Sequence, residues 1–163
     1  MSKEYKVLIS DKISQRAIET LQKNNIAYDY MPDCGTSNTL IDIIEPYTGL
    51  IIRSASKVSK EVINNGKNLQ VIGRAGIGVD NIDIKAASSK GIVVMNTPHG
   101  NAITTAEHTL AMIFAASRQI TAADQSTQKG KWEKSRFMGQ ELTGKILGLI
   151  GVGNIGSIVA DRA

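Results

Sequence analysis

The stretch Lys145-Ile146-Leu147-Gly148-Leu149-Ile150-Gly151-Val152-Gly153-Asn154-Ile155-Gly156 decides how the chain is read. An apolar run ending in two glycines one residue apart predicts a strand that enters a tight turn. Gly151 suits that turn, Gly153 lets a pyrophosphate approach the backbone, and Gly156 lets the next helix lie close to its strand. Ile155, Ile158 and Val159 continue with helical spacing, so the phosphates would meet a helix N-terminus, where free amides and the macrodipole favour an anion. The acidic residue expected about 20 positions further on falls beyond Ala163. Half a βαβ unit cannot cover its own faces, so a fragment of a longer protein is expected.

Upstream, one pattern repeats. Short apolar runs open near residues 6, 26, 49, 69 and 92, a pitch that suits a strand plus its crossover helix. The first strand is expected over Tyr5 to Ser10. Its helix carries Ile13, Ala17, Ile18 and Leu21 on one face, with Ser10 or Asp11 as cap and Asn24-Asn25 as stop. Ile26 to Tyr30 is more polar and reads as an edge strand. Leu40, Ile41 and Ile44 mark a short helix before the buried strand Gly49 to Ile52. Further strands are expected at Leu69 to Ile72 and Ile92 to Met95, with helices from Ser59 to Asn65 and Ile82 to Ser89, the second ended by Gly91. Five successive βα units predict a parallel, doubly wound sheet.

Ligands of such sheets gather beyond the carboxyl ends of the strands, and two of the segments there are chemically unusual. Arg53-Ser54-Ala55-Ser56-Lys57 brings two cations and two hydroxyls together, and the planar fork of arginine matches phosphate or carboxylate. The plain alternative is a solvated loop with ordinary caps. Gly73-Arg74-Ala75-Gly76-Ile77-Gly78-Val79-Asp80-Asn81 pairs glycines so that successive amides can cradle an anionic oxygen. Its plain alternative is a tight turn with Asp80 or Asn81 capping the next helix. Side by side, the two loops describe a pocket for a small molecule with two acidic ends.

Thr97-Pro98-His99-Gly100-Asn101 breaks the rhythm and opens a longer helix in which Thr104 and Glu107 have the spacing of a capping box. From Leu110 to Ala116 that helix is apolar almost all round, which predicts burial on every side, as for an element wedged between domains or subunits. His108 on it reads as a hydrogen-bonded core residue, and His99 has no carboxylate nearby in sequence to orient it. Lys129, Lys131, Lys134 and Arg136 surround the single tryptophan, Trp132. That cluster reads equally as a solvated face or as an interface anchor.

Composition narrows the classes. With 42% hydrophobic and 21% charged residues the 163-residue chain has an ordinary globular make-up. The net charge of +4 is thinly spread, with no run of five or more basic residues and few aromatics to stack on bases, which argues against nucleic acid. No run approaches membrane-spanning length, and Met1 to Lys6 lacks a signal-peptide h-region. A lone cysteine, Cys34, cannot form an intrachain disulfide, and the cytoplasm is the expected compartment. No metal site is expected.

The motifs together, and in this order, resemble the N-terminal half of the D-2-hydroxyacid dehydrogenases. They are Arg53 to Val58, Gly73 to Asp83, Val94 to Pro98 with Gly100-Asn101, Ala106 to Thr109, Gly130 to Glu133, Phe137 to Gly139, Glu141 to Lys145, and then the glycine stretch. The resemblance implies an α/β fold with a flavodoxin-like parallel-sheet substrate domain, residues 1–98. The beginning of a Rossmann nucleotide-binding domain follows, residues 99–163, with linking helices and a first strand-turn-helix. It places Arg53, Ser54, Arg74, Gly76 and Asn101 at the substrate, and Ile77, Gly151, Gly153, Asn154, Ile155 and Gly156 at the cofactor, NAD. Trp132 and Lys134 fall at a subunit interface of a homodimer or homotetramer. Many family members carry Thr in place of Ile77 and Arg in place of Asn154, so here the cofactor contacts must come from backbone. The catalytic arginine, glutamate and histidine of the family lie beyond Ala163, and the isolated chain is expected to be inactive. The branch resembled most closely oxidises a small phosphorylated 2-hydroxy acid, D-3-phosphoglycerate, at the entry to serine synthesis. The alternatives are a glyoxylate- or hydroxypyruvate-type dehydrogenase and a non-enzymatic dinucleotide-sensing protein.

Overall fold

A computed structural model describes residues 5–163, apart from the side chain of Ser37. The chain divides into two compact units, residues 1–100 and 101–163.

In the first unit the elements alternate: β1 (Lys6–Ile9), α1 (Gln15–Lys23), β2 (Ala27–Tyr30), α2 (Ser37–Ile43), β3 (Gly49–Ile52), α3 (Lys60–Asn65), β4 (Val71–Arg74), α4 (Ile84–Ser89) and β5 (Val93–Asn96). The five strands form one parallel sheet in the order β2-β1-β3-β4-β5, the flavodoxin-like arrangement. As its polarity predicts, β2 is an edge strand. Leu8, Leu50, Ile52 and Ile72 from the sheet, Leu40, Val62 and Ile63 from the helices and Ile44 at the end of α2 are almost wholly excluded from solvent and form one core cluster. Burial of this apolar area is what makes the crossover helices lie down on the sheet.

Local signals act as expected at several punctuation points. Asn25 adopts φ +52 and Gly91 φ +70, the left-handed conformation that ends a helix. The Ser59 side chain caps α3 by accepting from Val62 N. Other signals are overridden. The cap position of α1 is Ser14, not Ser10 or Asp11, because those two are buried and engaged elsewhere. Asp83, rather than Asp80 or Asn81, caps α4, its Oδ1 accepting from Ala86 N at 2.9 Å. The fourth strand starts two residues later than its apolar run, since the Leu69 amide turns back to the Gly66 carbonyl. Arg74 thereby becomes the last strand residue, paired in register with Ile52 and Asn96.

The second unit contains α5 (Ala102–Ser117), α6 (Ile120–Gln128), a 3₁₀ turn (Lys134–Phe137) and α7 (Asn154–Arg162). α5 and α7 lie against one another, and Glu107 pairs with Arg162 at 2.5 Å. Three expectations fail here. Thr104 and Glu107 form no capping box, because the helix already begins after Asn101. α5 is not buried all round: Ala102 and Ala106 are buried, but Ile103, Met112 and Phe114 are each more than half exposed, and His108 is exposed rather than a core residue. Lys145 to Ile150 forms no strand, and Ile146 and Ile150 stand fully exposed. The physical reason is common to the last two. Among the described residues the second unit has no strand to complete a ladder and no layer to cover the outer face of α5, and apolar pattern without a neighbour fixes neither.

Candidate functional site

In a sheet of this order the strand order reverses between the parallel neighbours β1 and β3, and the loops leaving those strands flank a crevice. Asp11, two residues after β1, is 3% exposed. Its Oδ2 accepts from Arg53 N at 2.5 Å and from Ser56 N at 3.2 Å, both in the loop after β3. The hydroxyls of Ser10 and Ser56, both buried, share a hydrogen bond of 2.7 Å. From the other side Asn81 Nδ2 donates to Arg53 O and to Ser56 O, each at 2.7 Å. Gly35 closes the loop from behind. Its carbonyl accepts from Lys57 N at 3.0 Å, and a Cβ there would collide with the Ser56 hydroxyl.

Arg53, Ser54 and Ala55 are left exposed at the crest. Arg53 Nη1 donates to Lys12 O at 3.2 Å, which extends the guanidinium along the rim of a concavity of about 250 Å³ lined also by Asp11, Lys12, Pro32, Asp33, Ser54 and Ala55. The hollow carries two cations, Lys12 and Arg53, and two carboxylates, Asp11 and Asp33; with Asp11 engaged by the loop amides, the Arg53 fork and the Ser54 hydroxyl at its crest can take a phosphate or carboxylate. Burial, reinforced by the Asp11 and Asp33 carboxylates, pushes the nearby Cys34 thiol up, which keeps it protonated and a poor nucleophile.

The loop after β4 is built around Arg74. Its Nη1 donates to the Gly78 carbonyl, and a Cβ on Gly76 or Gly78 would come within 3.3 or 3.2 Å of that nitrogen. The glycines therefore make room for the arginine. The exposed pair of amides expected from their spacing is only partly formed, because Gly76 N is spent on Arg74 O at 2.9 Å. Neighbours fix the rest: Thr97 N donates to Gly76 O at 2.9 Å and Asn96 Nδ2 to Ile77 O at 2.7 Å. Arg74 Nε and Asn81 Oδ1 are buried without a partner. Unsatisfied buried groups at a ligand edge are costly in isolation and are relieved by water or ligand.

In the second unit Gly151 has φ +87, and Gly156 sits so close to the Gly151 carbonyl that a Cβ would collide with it. Gly153 faces open space and is the cap position of α7, without a side-chain cap. The first bond of α7 runs from Ser157 N to Gly153 O at 2.9 Å. The amides of Asn154, Ile155 and Gly156 precede that bond and have no helical acceptor. An uncapped nine-residue helix behind an open glycine turn fits a dinucleotide pyrophosphate. Asn101 is the cap position of α5, and its carbonyl accepts from Thr105 N and Oγ1, both at 2.9 Å. Trp132 is 78% exposed and Lys134 is exposed. Between them Glu133 is held below the usual carboxylate range by the Ser126 hydroxyl at 2.6 Å, with Arg136 contributing. His99 is exposed as well.

The family model described as the catalytic domain of D-isomer specific 2-hydroxyacid dehydrogenases matches residues 7–155. The chain belongs to this family. The D-3-phosphoglycerate dehydrogenase of Archaeoglobus fulgidus is 48% identical over 157 residues, which are 96% of this chain and 30% of that relative. The enzyme of the same name from Sus scrofa is 49% identical, across 96% of this chain and 29% of its own length. Among solved structures, the NAD⁺-bound 3-phosphoglycerate dehydrogenase of Entamoeba histolytica is similar with a TM-score of 0.77 at 30% identity, covering 98% of this chain and 50% of that one. The chain thus spans about 30% of the length of these curated relatives.

Family membership agrees with the parallel sheet and with the position of the Arg53 loop at its carboxyl edge. Reading the sequence missed Asp11, Asn81 and Asn96. Each sits where an apolar strand or a glycine loop ends, so the carboxyl-edge rule could have flagged them. The stronger local reading of Asp11 and Asn81 was as helix caps.

Proposed function

We propose that the chain provides the substrate-binding domain and the opening of the nucleotide-binding domain of an NAD-dependent D-3-phosphoglycerate dehydrogenase. The observation that carries this reading is the Arg53-Ser54-Ala55 crest, exposed beside a hollow at the β1/β3 reversal, in a chain 48–49% identical to enzymes of that name. Arg53 and Ser54 receive the anionic groups of a small phosphorylated 2-hydroxy acid, and Arg74 and Gly76 add to that side. The residues at 151–156 hold the cofactor pyrophosphate on amides alone. Asn154 brings no cation and Ile77 no hydroxyl to the cofactor. NAD, when bound, supplies the hydride acceptor for oxidation of the substrate's C2 alcohol. No residue of this chain is assigned proton transfer. The exposed Trp132 and Lys134 support self-association, as a homodimer or homotetramer in the cytoplasm.

The test is a dehydrogenase assay on the full natural protein that carries this chain. The expected result is NAD-linked oxidation of D-3-phosphoglycerate with kcat/KM at least about tenfold above that for D-glycerate, since a pocket built for a charged group rejects the analogue lacking it. Equal rates would support the glyoxylate- or hydroxypyruvate-type alternative. Dinucleotide binding without turnover of any 2-hydroxy acid would support the sensing protein.

A further inference from the structure

The backbone of the Arg53–Ser56 loop is held by two side chains that do not belong to its exposed crest. Asp11 Oδ2 takes the amides of Arg53 and Ser56, and Asn81 Nδ2 gives its hydrogens to the carbonyls of the same two residues. A carboxylate can only accept and an amide nitrogen can only donate, so turning the Asn81 amide over would set its oxygen against two carbonyls, whereas either oxygen of Asp11 serves the two amides equally. The orientation of Asn81 is therefore fixed, although it leaves Oδ1 buried without a partner. Asn81 also ends the glycine loop that begins after β4, and its carbonyl accepts from Val58 N at 2.8 Å. It thereby ties the loop of Arg53 to the loop of Arg74.

The geometry assigns Asp11 and Asn81 as positioning residues. They set the Arg53–Ser56 backbone so that the Arg53 guanidinium and the Ser54 hydroxyl converge on one anionic group. This rests on the reading that the loop takes the substrate. Asn81 does not line the hollow and acts on substrate affinity through the loop alone, while Asp11 holds the loop from the floor of the hollow itself; both leave the cofactor site alone.

The experiment compares wild type with Asn81→Asp and Asp11→Asn in the full natural protein. Asn81→Asp keeps the side-chain volume but sets carboxylate oxygens against two carbonyls. Asp11→Asn retains an acceptor and adds a competing donor. The expected result for each is a KM for D-3-phosphoglycerate raised about tenfold, the loss of one well-made hydrogen bond to a charged or pinned group, with kcat and the KM for NAD at wild-type values. An NAD KM that rises in step, or a substrate KM that stays put, overturns the proposal. Asp11 is fully buried and its variant can fail to fold, so the half-buried Asn81 decides. If the wild type does not use D-3-phosphoglycerate, the functional reading fails and the clamp is judged by amide hydrogen exchange. Faster exchange at Arg53 and Ser56 in Asn81→Asp, with Leu50 unchanged, upholds it, and unchanged exchange at all three overturns it.

Discussion

Two stretches of this chain follow the same recipe, an apolar run that ends in a polar or glycine-rich loop, and they end in opposite conditions. After β3, both backbone groups of Arg53 and of Ser56 are engaged by the side chains of Asp11 and Asn81. Before α7, the run Lys145 to Ile150 has no ladder, and its isoleucines are fully exposed. The difference lies in the neighbours. β3 sits between β1 and β4, which exclude water from it and supply loops that grip its exit. The later run has the apolarity and lacks a strand partner among the described residues, so nothing holds it in a ladder.

The contrast is broken most directly in the core. Ile72→Ala, at a site wholly excluded from solvent, is expected to cost about 2–5 kcal/mol, whereas Ile150→Ala in the isolated chain should stay within about 0.5 kcal/mol. Urea unfolding of the two variants measures both, and equal losses would mean that the two stretches are equally packed. Next in size is Gly156→Ala, whose Cβ would strike the Gly151 carbonyl. The clash is expected to cost about 1–3 kcal/mol, read as weaker dinucleotide binding in the full natural protein with the substrate KM unchanged.

A smaller effect comes from the opposite end of the sheet. Lys6 Nζ lies 2.6 Å from Asp29 Oδ2, and the Tyr47 hydroxyl donates to the same oxygen at 2.5 Å. These hydrogen bonds, Lys6 first and then Tyr47, hold the Asp29 carboxyl below its ordinary value. A lowered folded pKa means stability that is present above the unfolded pKa of about 3.9 and is lost as pH falls through the folded value. Asp29→Asn should therefore lower stability at pH 7 by about 1 kcal/mol or less and have little effect at pH 2, measured as urea midpoints. Burial, and then Asp29 itself, push the Tyr47 hydroxyl up to about 12, so its share persists at neutral pH and fails only in strong alkali. Smallest of all, Trp132→Ala should change the stability of the isolated chain by less than about 0.5 kcal/mol, since the ring is 78% exposed. A concentration-dependent blue shift of its fluorescence in the full natural protein would place it at a contact.

The rhythm of the first unit was legible because each apolar run there carries both its period and its punctuation. Asn25 and Gly91 stop their helices where the sequence puts them, and the polar run Ala27–Tyr30 is an edge strand. What misled was the competition between local and distant partners. Asp11 has the chemistry of a helix cap, yet a buried carboxylate between two loop amides gains more than one at an exposed helix start. Asn81 was misread in the same way. Leu69 has the apolarity of a strand residue, but its amide closes the turn after α3. His108 and the apolar face of α5 read as core because their pattern is that of a core, and pattern does not say whether the covering layer is present.

The shared hydrogen bond between Ser10 and Ser56, which seals the crevice beneath the loop, binds distant parts of the chain to one mutational fate. Either hydroxyl can serve as donor. Loss of one strands its mate in a dry site, while loss of both together, Ser10→Ala with Ser56→Ala, removes the demand along with the supply and is nearly neutral. Gly35 belongs to the same set, since it has no room for a side chain while Ser56 keeps its hydroxyl. Across related sequences positions 10, 35 and 56 should therefore vary as a linked trio, with the serines exchanged in pairs and a residue larger than glycine at 35 tolerated only where 56 has shrunk.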